Sequence, residues 1–273
     1  MLGKYLNTVR EKTPLVHNIT NYVTVNDVAN VLLACGGSPI MADDINEVEE
    51  ITSICGGLNI NIGTLNERTI ESMFKAGLKS NELNHKVVLD PVGAGASKLR
   101  TETAIGLLNQ INFSVIRGNV SEIKTLAFGK GSTKGVDADI SDSITEETLG
   151  EAINFVKEFS KKTGSVIAIT GAIDLVADSE RCFVIRNGRP EMSKITGTGC
   201  QLSALITAFV VANPENTLEA TASAICLMGL SGELAHEKML NEEGNSTYRN
   251  RIIDTIYNAT GEVLDAGAKY EIK

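Results

Sequence analysis

KVVLD at residues 86–90, stopped by Pro91, is the stretch of sequence that decides the fold. Three further short runs also predict strands that end at or next to glycine: 58–62 (LNINI), 113–116 (FSVI) and 165–170 (SVIAIT). We interpret all four as apolar strands, which are expected where helices cover both faces of a parallel sheet.

Longer segments with a helical period lie between and after these strands. The patterns of 25–34, 149–159 and 250–265 predict helices, and the apolar run at 202–212 is typical of a buried helix. In 250–265 the face expected to be buried carries Ile252, Ile253, Ile256, Tyr257, Val263 and Leu264.

The order of these elements predicts an α/β fold. Strands that first alternate with helices and then give way to a helical tail indicate a mostly parallel sheet covered on both sides. One hairpin is expected where 173–177 and 181–185 flank the turn at 178–180. No linker of Pro, Ser or Gly composition divides the chain into two parts, so we expect a single domain over 1–273. Within it we expect one mobile loop, at the polar, Gly-rich 129–144.

The composition excludes several classes of protein. The net charge of −9 argues against nucleic acid or an anionic membrane as a partner, and the absence of tryptophan argues against a base-stacking surface. The five cysteines contain no CxxC pair and form no zinc-ligand spacing with the three histidines, so we expect buried thiols in a reducing compartment. The first twelve residues are polar and no apolar run reaches membrane-spanning length, so we expect a cytoplasmic protein.

The strongest local signal for function is TGTGC at 196–200, directly before the helix predicted at 202–212. Gly197 and Gly199 allow the backbone N–H groups around Thr198 to turn toward one point, where the positive end of the helix dipole also lies. Such an arrangement is an anion hole suited to a phosphoryl group in transfer. A tight turn that merely leads into a buried helix is the open alternative.

Two other phosphate-binding motifs are excluded. The chain has no GxxxxGK[ST], so it is not a P-loop protein. The segment that begins at Gly197 fails the dinucleotide pattern GxGxxG, because Leu202 occupies the position of the third glycine.

Acidic and amide side chains follow two of the predicted strands. Asp90 ends the strand at 86–90, and Asn119 and Glu122 come three residues apart soon after 113–116. In open α/β sheets this edge faces the ligand crevice, and oxygen ligands of this kind suit Mg²⁺, which takes few protein carboxylates. The open alternatives are a turn residue before proline for Asp90 and a favourable charge in a first helical turn for Glu122.

Four more candidates complete the predicted site. Arg117 is suited to clamping phosphate oxygens, although a solvated surface ion pair is the commoner fate of an arginine. Thr170 either donates its hydroxyl to a nucleotide phosphate or simply ends its strand. Asn21 belongs to a polar segment before a helix, and Met41 follows a glycine turn, where its adaptable side chain is suited to cover an apolar ring.

Six segments carry a more specific signal: VHNITN (16–21), GSPIMA (37–42), VLDPVGAG (88–95), IRGNVSE (116–122), ITG (169–171) and TGTGC (196–200). In this order they resemble the hydroxyethylthiazole kinase family of the ribokinase-like superfamily. The resemblance implies a three-layer α/β/α fold with a mostly parallel central sheet. It also implies transfer of the γ-phosphoryl group of ATP to 4-methyl-5-(2-hydroxyethyl)thiazole, in thiamine biosynthesis or salvage, by a homotrimer with its sites at subunit interfaces.

The same resemblance implies roles for individual residues. At the substrate these are Asn21, Met41 and Gly197; at the transferred group Gly197, Thr198, Gly199 and Cys200; at ATP Arg117, Asn119 and Thr170; and at Mg²⁺ with its waters Asp90 and Glu122.

Cys200 stands where most of the superfamily carries an aspartate that acts as a base. With a cysteine at this position the chain resembles the thiazole kinases rather than the sugar and pyridoxal kinases. We expect Cys200 to orient the hydroxyl and to assist its deprotonation modestly, since a helix N-terminus lowers the pKa of a thiol but a nearby triphosphate raises it. An ATP- or ADP-dependent hydrate dehydratase, a kinase for another heterocyclic alcohol and a non-catalytic regulator are the rival functions.

Overall fold

The strands at the centre of the molecule form one sheet. The computed structural model describes residues 1–129 and 144–273, so the loop predicted at 129–144 lies outside the described residues apart from its two ends. Within these ranges the strands are β1 (Leu15–Ile19), β2 (Ser38–Met41), β3 (Gly57–Asn61), β4 (Lys86–Asp90), β5 (Val115–Gly118), β6 (Val166–Ile169), β7 (Asp174–Ala177), β8 (Cys182–Ile185) and β9 (Tyr270–Ile272). They pair in the order β2-β1-β3-β4-β5-β6-β7-β8-β9.

The strand directions create one edge at which polar side chains meet. β1 to β6 run parallel, whereas β7, β8 and β9 pair antiparallel. Asn61 at the end of β3 pairs with Asp90 at the end of β4, so the two side chains are neighbours at the carboxyl edge. The predicted hairpin is confirmed as β7 and β8.

Helices cover both faces of this sheet. Val88 of β4 packs into the core of one face, while Val87 and Leu89 pack into the core of the other, and all three are fully buried. This two-sided burial explains the continuous apolar run. The predicted three-layer α/β/α fold with a mostly parallel sheet is confirmed.

The helices divide between the two faces. On one face lie α1 (Gly3–Lys12), α2 (Val25–Cys35), α8 (Thr198–Ala212), α9 (Thr217–Glu237), α10 (Asn245–Asn258) and α11 (Gly261–Gly267). On the other lie α3 (Val48–Ile54), α4 (Glu67–Glu82), α5 (Lys98–Gln110), α6 (Val120–Phe128) and α7 (Leu149–Thr163). A 3₁₀ helix at Pro190–Lys194 precedes α8. No helix in the described ranges is long and apolar enough to cross a membrane.

Helix α8 lies in the interior, packed between other helices and the sheet. Every residue at 200–210 is buried. A helix that is mostly apolar on every side is expected in such a place. The buried helix predicted at 202–212 is thus confirmed, and it begins earlier, at Thr198.

Strand β1 was not expected from the sequence. His17 and Asn18 are polar, which hides the strand signal, yet both are buried within it. The two ring nitrogens of His17 contact the Ala42 carbonyl at 2.8 Å and the Thr52 hydroxyl at 3.0 Å. These bonds offset the loss of solvent that burial imposes on a polar ring.

The single helix predicted over 250–265 is wrong. The chain forms α10 and α11 instead, separated at Ala259, which is extended, and Thr260, whose hydroxyl accepts the Val263 N–H at 3.2 Å and caps α11. That cap offers the backbone an alternative to a continuous helix. Two residues of the face expected to be buried are largely exposed as a result, Tyr257 at 68% and Val263 at 41%.

We predict a large difference between two adjacent residues of α10. Ile256→Ala removes a fully buried side chain and should lower the free energy of unfolding by roughly 2–5 kcal/mol. Tyr257→Ala, at a mostly exposed side chain, should change it by less than about 0.5 kcal/mol. Urea unfolding followed by circular dichroism measures both values, and equal losses would contradict this placement of α10.

Candidate active site

The glycine turn at 196–200 forms the start of α8. Gly197 has a left-handed backbone with φ +87°, and an added Cβ would clash with the methyl group of Thr24. At Gly199 an added Cβ would lie 2.6 Å from Nη1 of Arg117. Glycine at both positions therefore lets two neighbouring side chains approach the backbone of the turn.

The N-terminus of α8 offers N–H groups to an anion. Among the described residues no side chain caps this end, and the Gln201 N–H is bonded to the Gly197 carbonyl at 2.9 Å. The N–H groups of Thr198, Gly199 and Cys200 lie before that bond, where a helix supplies no acceptors of its own. This arrangement supports the anion hole over a turn that merely leads into a helix.

Arg117 joins the glycine turn to the ends of neighbouring strands. Its Nη2 donates to the Thr170 hydroxyl at 2.6 Å, just after β6. Its Nη1 lies 3.6 Å from Oδ1 of Asp90 at the end of β4. Because the Arg117 side chain is only 13% exposed, the alternative of a solvated surface ion pair is wrong.

Asp90 is the buried carboxylate of this cluster. Its Oδ2 accepts hydrogen bonds from Asn61 Nδ2 at 2.7 Å and from the Ser203 hydroxyl at 2.8 Å, whereas Oδ1 makes none within the described part of the chain. Burial raises the pKa of Asp90 to about 6, Arg117 acts against this rise, and the charge of Glu122 adds to it.

Glu122 and Asn119 hold the start of α6. Each accepts the backbone N–H of the other at 2.8 Å, in a reciprocal capping box. The second oxygen of Glu122 accepts the Gly93 N–H at 2.8 Å and ties α6 to the loop after β4. Both oxygens of Glu122 are therefore bonded to backbone N–H groups. This agrees with the alternative interpretation, in which Glu122 is a favourable charge in the first turn of a helix.

Asp90 and Glu122 are the residues that the sequence suggests for a metal. No three His, Cys, Asp or Glu residues in the described ranges lie close enough together to hold an ion by themselves. Mg²⁺, however, commonly keeps several waters and binds through one or two carboxylates and substrate phosphates. Oδ1 of Asp90, which makes no hydrogen bond within the described residues, fits that kind of binding, whereas Glu122 supports the neighbouring loop.

Cys200 belongs to a second polar cluster at the same turn. Asn21 Nδ2 donates to the Cys200 sulfur at 3.1 Å and to Asn61 Oδ1 at 3.0 Å, and Asn21 Oδ1 accepts the Thr24 hydroxyl at 3.1 Å. Burial raises the pKa of the Cys200 thiol, and the charge of Asp90 raises it further. The group is therefore a neutral thiol at pH 7.

A cleft of about 560 Å³ opens beside the turn, a volume typical of ligand pockets. Thr198 and Gly199 line it together with Arg117, Asn119 and Thr170, so the three residues predicted to contact ATP share one cavity. The predicted site residues that do not line this cleft are Asn21, Met41, Asp90, Glu122, Gly197 and Cys200.

Met41 ends β2, the strand at the edge of the sheet. It is half-buried, packs against the apolar core and pairs in register with Asn18 of β1. Directly after Asn21, the side chains of Tyr22 and Val23 are 77% and 58% exposed. The segment that supplies Asn21 therefore continues into an exposed apolar surface.

A family model matches nearly the whole chain. It describes the hydroxyethylthiazole kinase family, and the match runs over residues 6–262. The chain belongs to the hydroxyethylthiazole kinase family. The resemblance carried by the six segments is thereby confirmed.

Relatives in this family cover the chain from end to end. A hydroxyethylthiazole kinase of Clostridium acetobutylicum is 63% identical over 271 residues, 99% of each chain. The solved structure of a hydroxyethylthiazole kinase protein from Pyrococcus horikoshii is 36% identical, with a TM-score of 0.88, and the match covers 100% of this chain and 98% of that one. A pyridoxal kinase from Staphylococcus aureus, solved with AMP-PCP and pyridoxal, is 16% identical with a TM-score of 0.59 over 95% and 98% of the two chains, and shares the fold alone.

Three site residues of this hydroxyethylthiazole kinase family member were missed by sequence reasoning. Asn61 and Ser203 bond to the buried carboxylate, and Asp174 lines the cleft and accepts the Gly171 N–H at 2.8 Å. Burial raises the pKa of Asp174 to about 7. The polar residues that alternate in LNINI at 58–62 were the signal for Asn61, since polar residues inside a buried strand need a partner.

Gly199→Ala should weaken the binding of Mg-ATP. The added Cβ would displace the Arg117 guanidinium, so the dissociation constant should rise by roughly 10- to 100-fold, the equivalent of one hydrogen bond to a charged group. Gly150→Ala in α7 is the matched control, because no described atom lies within 4 Å of its added Cβ. Isothermal titration calorimetry with a non-hydrolysable ATP analogue measures both, and unchanged binding by Gly199→Ala would refute the contact.

Proposed function

We propose that the chain transfers the γ-phosphoryl group of ATP to the hydroxyl of 4-methyl-5-(2-hydroxyethyl)thiazole, in thiamine biosynthesis or salvage. Membership of the hydroxyethylthiazole kinase family supports this reaction. The observation that carries it is the uncapped start of α8, which adjoins both the cleft lined by Arg117 and the cluster around Cys200. Phosphoryl transfer depends mainly on positioning and on charge stabilisation, which this arrangement supplies.

The cleft is the proposed place of the nucleotide. Arg117 and the hydroxyl of Thr170 would meet phosphate oxygens there, and Asn119 would border them. The N–H groups of Thr198 and Gly199 would stabilise the charge that develops on the group in transfer. The low exposure of Arg117 strengthens this contact, since charge-assisted hydrogen bonds gain strength away from water.

The thiazole alcohol would bind on the side of Asn21, Met41 and Gly197. The flexible thioether of Met41 suits the face of a heterocycle. Cys200 would orient the hydroxyl and accept its proton only weakly, because burial disfavours the thiolate. Positioning would then contribute more to the rate than base catalysis.

Asp90 is the residue that would hold Mg²⁺ or one of its waters, through its free Oδ1. Glu122 would act beside it by keeping the Gly93 loop in place. When bound, the ion neutralises charge on the phosphate oxygens. Arg117, whose Nη1 lies 3.6 Å from the same Asp90 oxygen, would share that task.

We also propose a cytoplasmic homotrimer with its thiazole sites at subunit interfaces. The exposed Tyr22 and Val23, directly after Asn21, support a neighbouring copy at this place, since apolar surface beside a site is typical of an interface. The five free cysteines, all buried, suit a reducing compartment. The net charge of −9 supports small molecules rather than nucleic acid or membrane as partners.

The rival functions have less support. A hydrate dehydratase is expected to carry aspartate where Cys200 stands. A regulator without activity has no need of the tight approach between Arg117 and Gly199. A kinase for another heterocyclic alcohol would differ only in the pocket that binds the acceptor. Comparing the activity of the chain on several alcohols therefore tests this alternative.

A coupled assay of ADP release tests this proposal. With Mg-ATP and the thiazole alcohol we expect ADP and phosphorylated thiazole in equal amounts, while pyridoxal and the pyrimidine alcohol should give a kcat/KM at least roughly 10-fold lower. Mass spectrometry identifies the products. Inorganic phosphate with an unphosphorylated product would instead indicate a dehydratase, and binding without ADP release would indicate a regulator.

Cys200→Ala should lower kcat by no more than roughly 10- to 100-fold, because the thiol is neutral and a strong general base would account for about 10²–10⁴-fold. KM for the alcohol should change little. Cys200→Ser, which keeps a donor and an acceptor, should retain more activity. Steady-state kinetics measures all three proteins, and a loss beyond about 10³-fold with unchanged KM would disprove the modest role.

A further inference from the structure

The carboxylate of Asp90 is held by only one of its two oxygens. Oδ2 accepts from Asn61 at 2.7 Å and from Ser203 at 2.8 Å, and all three side chains are fully buried. Oδ1 makes no hydrogen bond within the described residues and lies 3.6 Å from Arg117 Nη1. The two bonds to Oδ2 fix the plane of the Asp90 carboxylate. They leave Oδ1, which accepts no hydrogen bond within the described residues, facing the Arg117 guanidinium.

The side-chain amide of Asn61 can hold only one orientation. Its Oδ1 accepts from Asn21 Nδ2 at 3.0 Å and from the Gly63 N–H at 2.9 Å, and its Nδ2 donates to Asp90. Exchanging the oxygen and the nitrogen would set its donor against two donors and its acceptor against a carboxylate. Asn61 therefore orients Asp90 and is itself oriented by the backbone.

These hydrogen bonds form a chain that the backbone of α8 closes into a ring, and the ring includes Cys200. Asn21 Nδ2 donates both to Asn61 Oδ1 and to the Cys200 sulfur, and Asn61 donates to Asp90. Ser203, one turn after Cys200 on α8, donates to the same Asp90 oxygen and completes the ring. The ring thus joins the ends of β3 and β4, the segment after β1 and the first turn of α8. Buried networks of this kind hold their members in one arrangement.

We propose that Asn61 and Ser203 are positioning residues for phosphoryl transfer, which fix the orientation of Asp90 and, through Asn21, its relation to Cys200. This proposal rests on the proposed kinase function. Asn61 and Ser203 act through Asp90 and Asn21 and contact neither substrate. Losing them would leave the residues proposed to bind ATP in place but would free the carboxylate of Asp90 to rotate, so kcat should fall while the affinity for ATP is kept.

Asn59 provides a matched control on the same strand. It is two residues before Asn61, on the same face of β3, and is also fully buried. Its Nδ2 donates to Asn18 Oδ1 at 3.1 Å, so it too belongs to a pair of buried asparagines, outside the ring. A purely structural role for Asn61 predicts that Asn59→Ala and Asn61→Ala behave alike.

Steady-state kinetics of Asn61→Ala, Asn59→Ala, Ser203→Ala and the Asn61/Ser203 double variant tests the proposal, with thermal unfolding to confirm folding. Asn61→Ala should lower kcat by roughly 10- to 100-fold, the scale at which misplaced groups impair catalysis, with KM for ATP within about 3-fold. Asn59→Ala should keep kcat within about 3-fold at a similar loss in Tm. The double variant should lose more than the product of the single losses, because each residue partly holds Oδ2 for the other.

A second measurement does not depend on turnover. Asn61→Ala removes one of the two acceptors that hold Asn21 Nδ2, so the Asn21 amide is less firmly fixed against the Cys200 sulfur. Iodoacetamide should therefore modify Cys200 roughly 10-fold faster in Asn61→Ala than in Asn59→Ala, with the site identified by mass spectrometry. Equal kcat and equal modification rates in the two variants would overturn the proposal while the kinase function stands. A wild-type chain that does not phosphorylate the thiazole alcohol would refute the kinase function, and the positioning role with it. The modification rates would then show only whether the ring exists.

Discussion

The start of α8, where Thr198 and Gly199 line the cleft, is the constraint on which the rest of the structure depends. A helix end without a capping side chain leaves N–H groups that need an acceptor, and Asp90 beside it leaves a carboxylate oxygen that needs a donor. Arg117 lies against both of them. The N–H groups face the cleft and the Asp90 oxygen is buried beside them, so this point suits the anionic ligand and the counter-ion that we propose for it.

The sheet explains how residues far apart in sequence reach this point. Parallel strands bring their carboxyl ends to one edge, where register places Asn61 next to Asp90 and Arg117 follows from the neighbouring strand. Helix α8, buried from Cys200 to Val210, then fixes the glycine turn against that edge. The turn presents Gly199 to the cleft proposed for the nucleotide and Gly197 to Thr24, a member of the cluster around Asn21. Phosphoryl donor and acceptor would then approach the same N–H groups from two sides.

Local signals made much of this predictable. The strand at 86–90 was located residue for residue, because an apolar run stopped by proline needs no tertiary context. The place of Asn61 beside Asp90 was not predicted, since it depends on a strand partner 29 residues away. Strand β1 was hidden by His17 and Asn18, whose polarity is compensated only in the folded state, and the break at Thr260 is one weak capping signal among several.

The most direct test of this account is a crystal structure with Mg²⁺, a non-hydrolysable ATP analogue and the thiazole alcohol. We expect oxygens of the terminal phosphate within about 3.2 Å of the N–H groups of Thr198 and Gly199 and of the Arg117 guanidinium. The alcohol oxygen should lie on the opposite side, next to Cys200. A terminal phosphate bound away from the start of α8, or an alcohol inside the nucleotide cleft, would contradict the central claim.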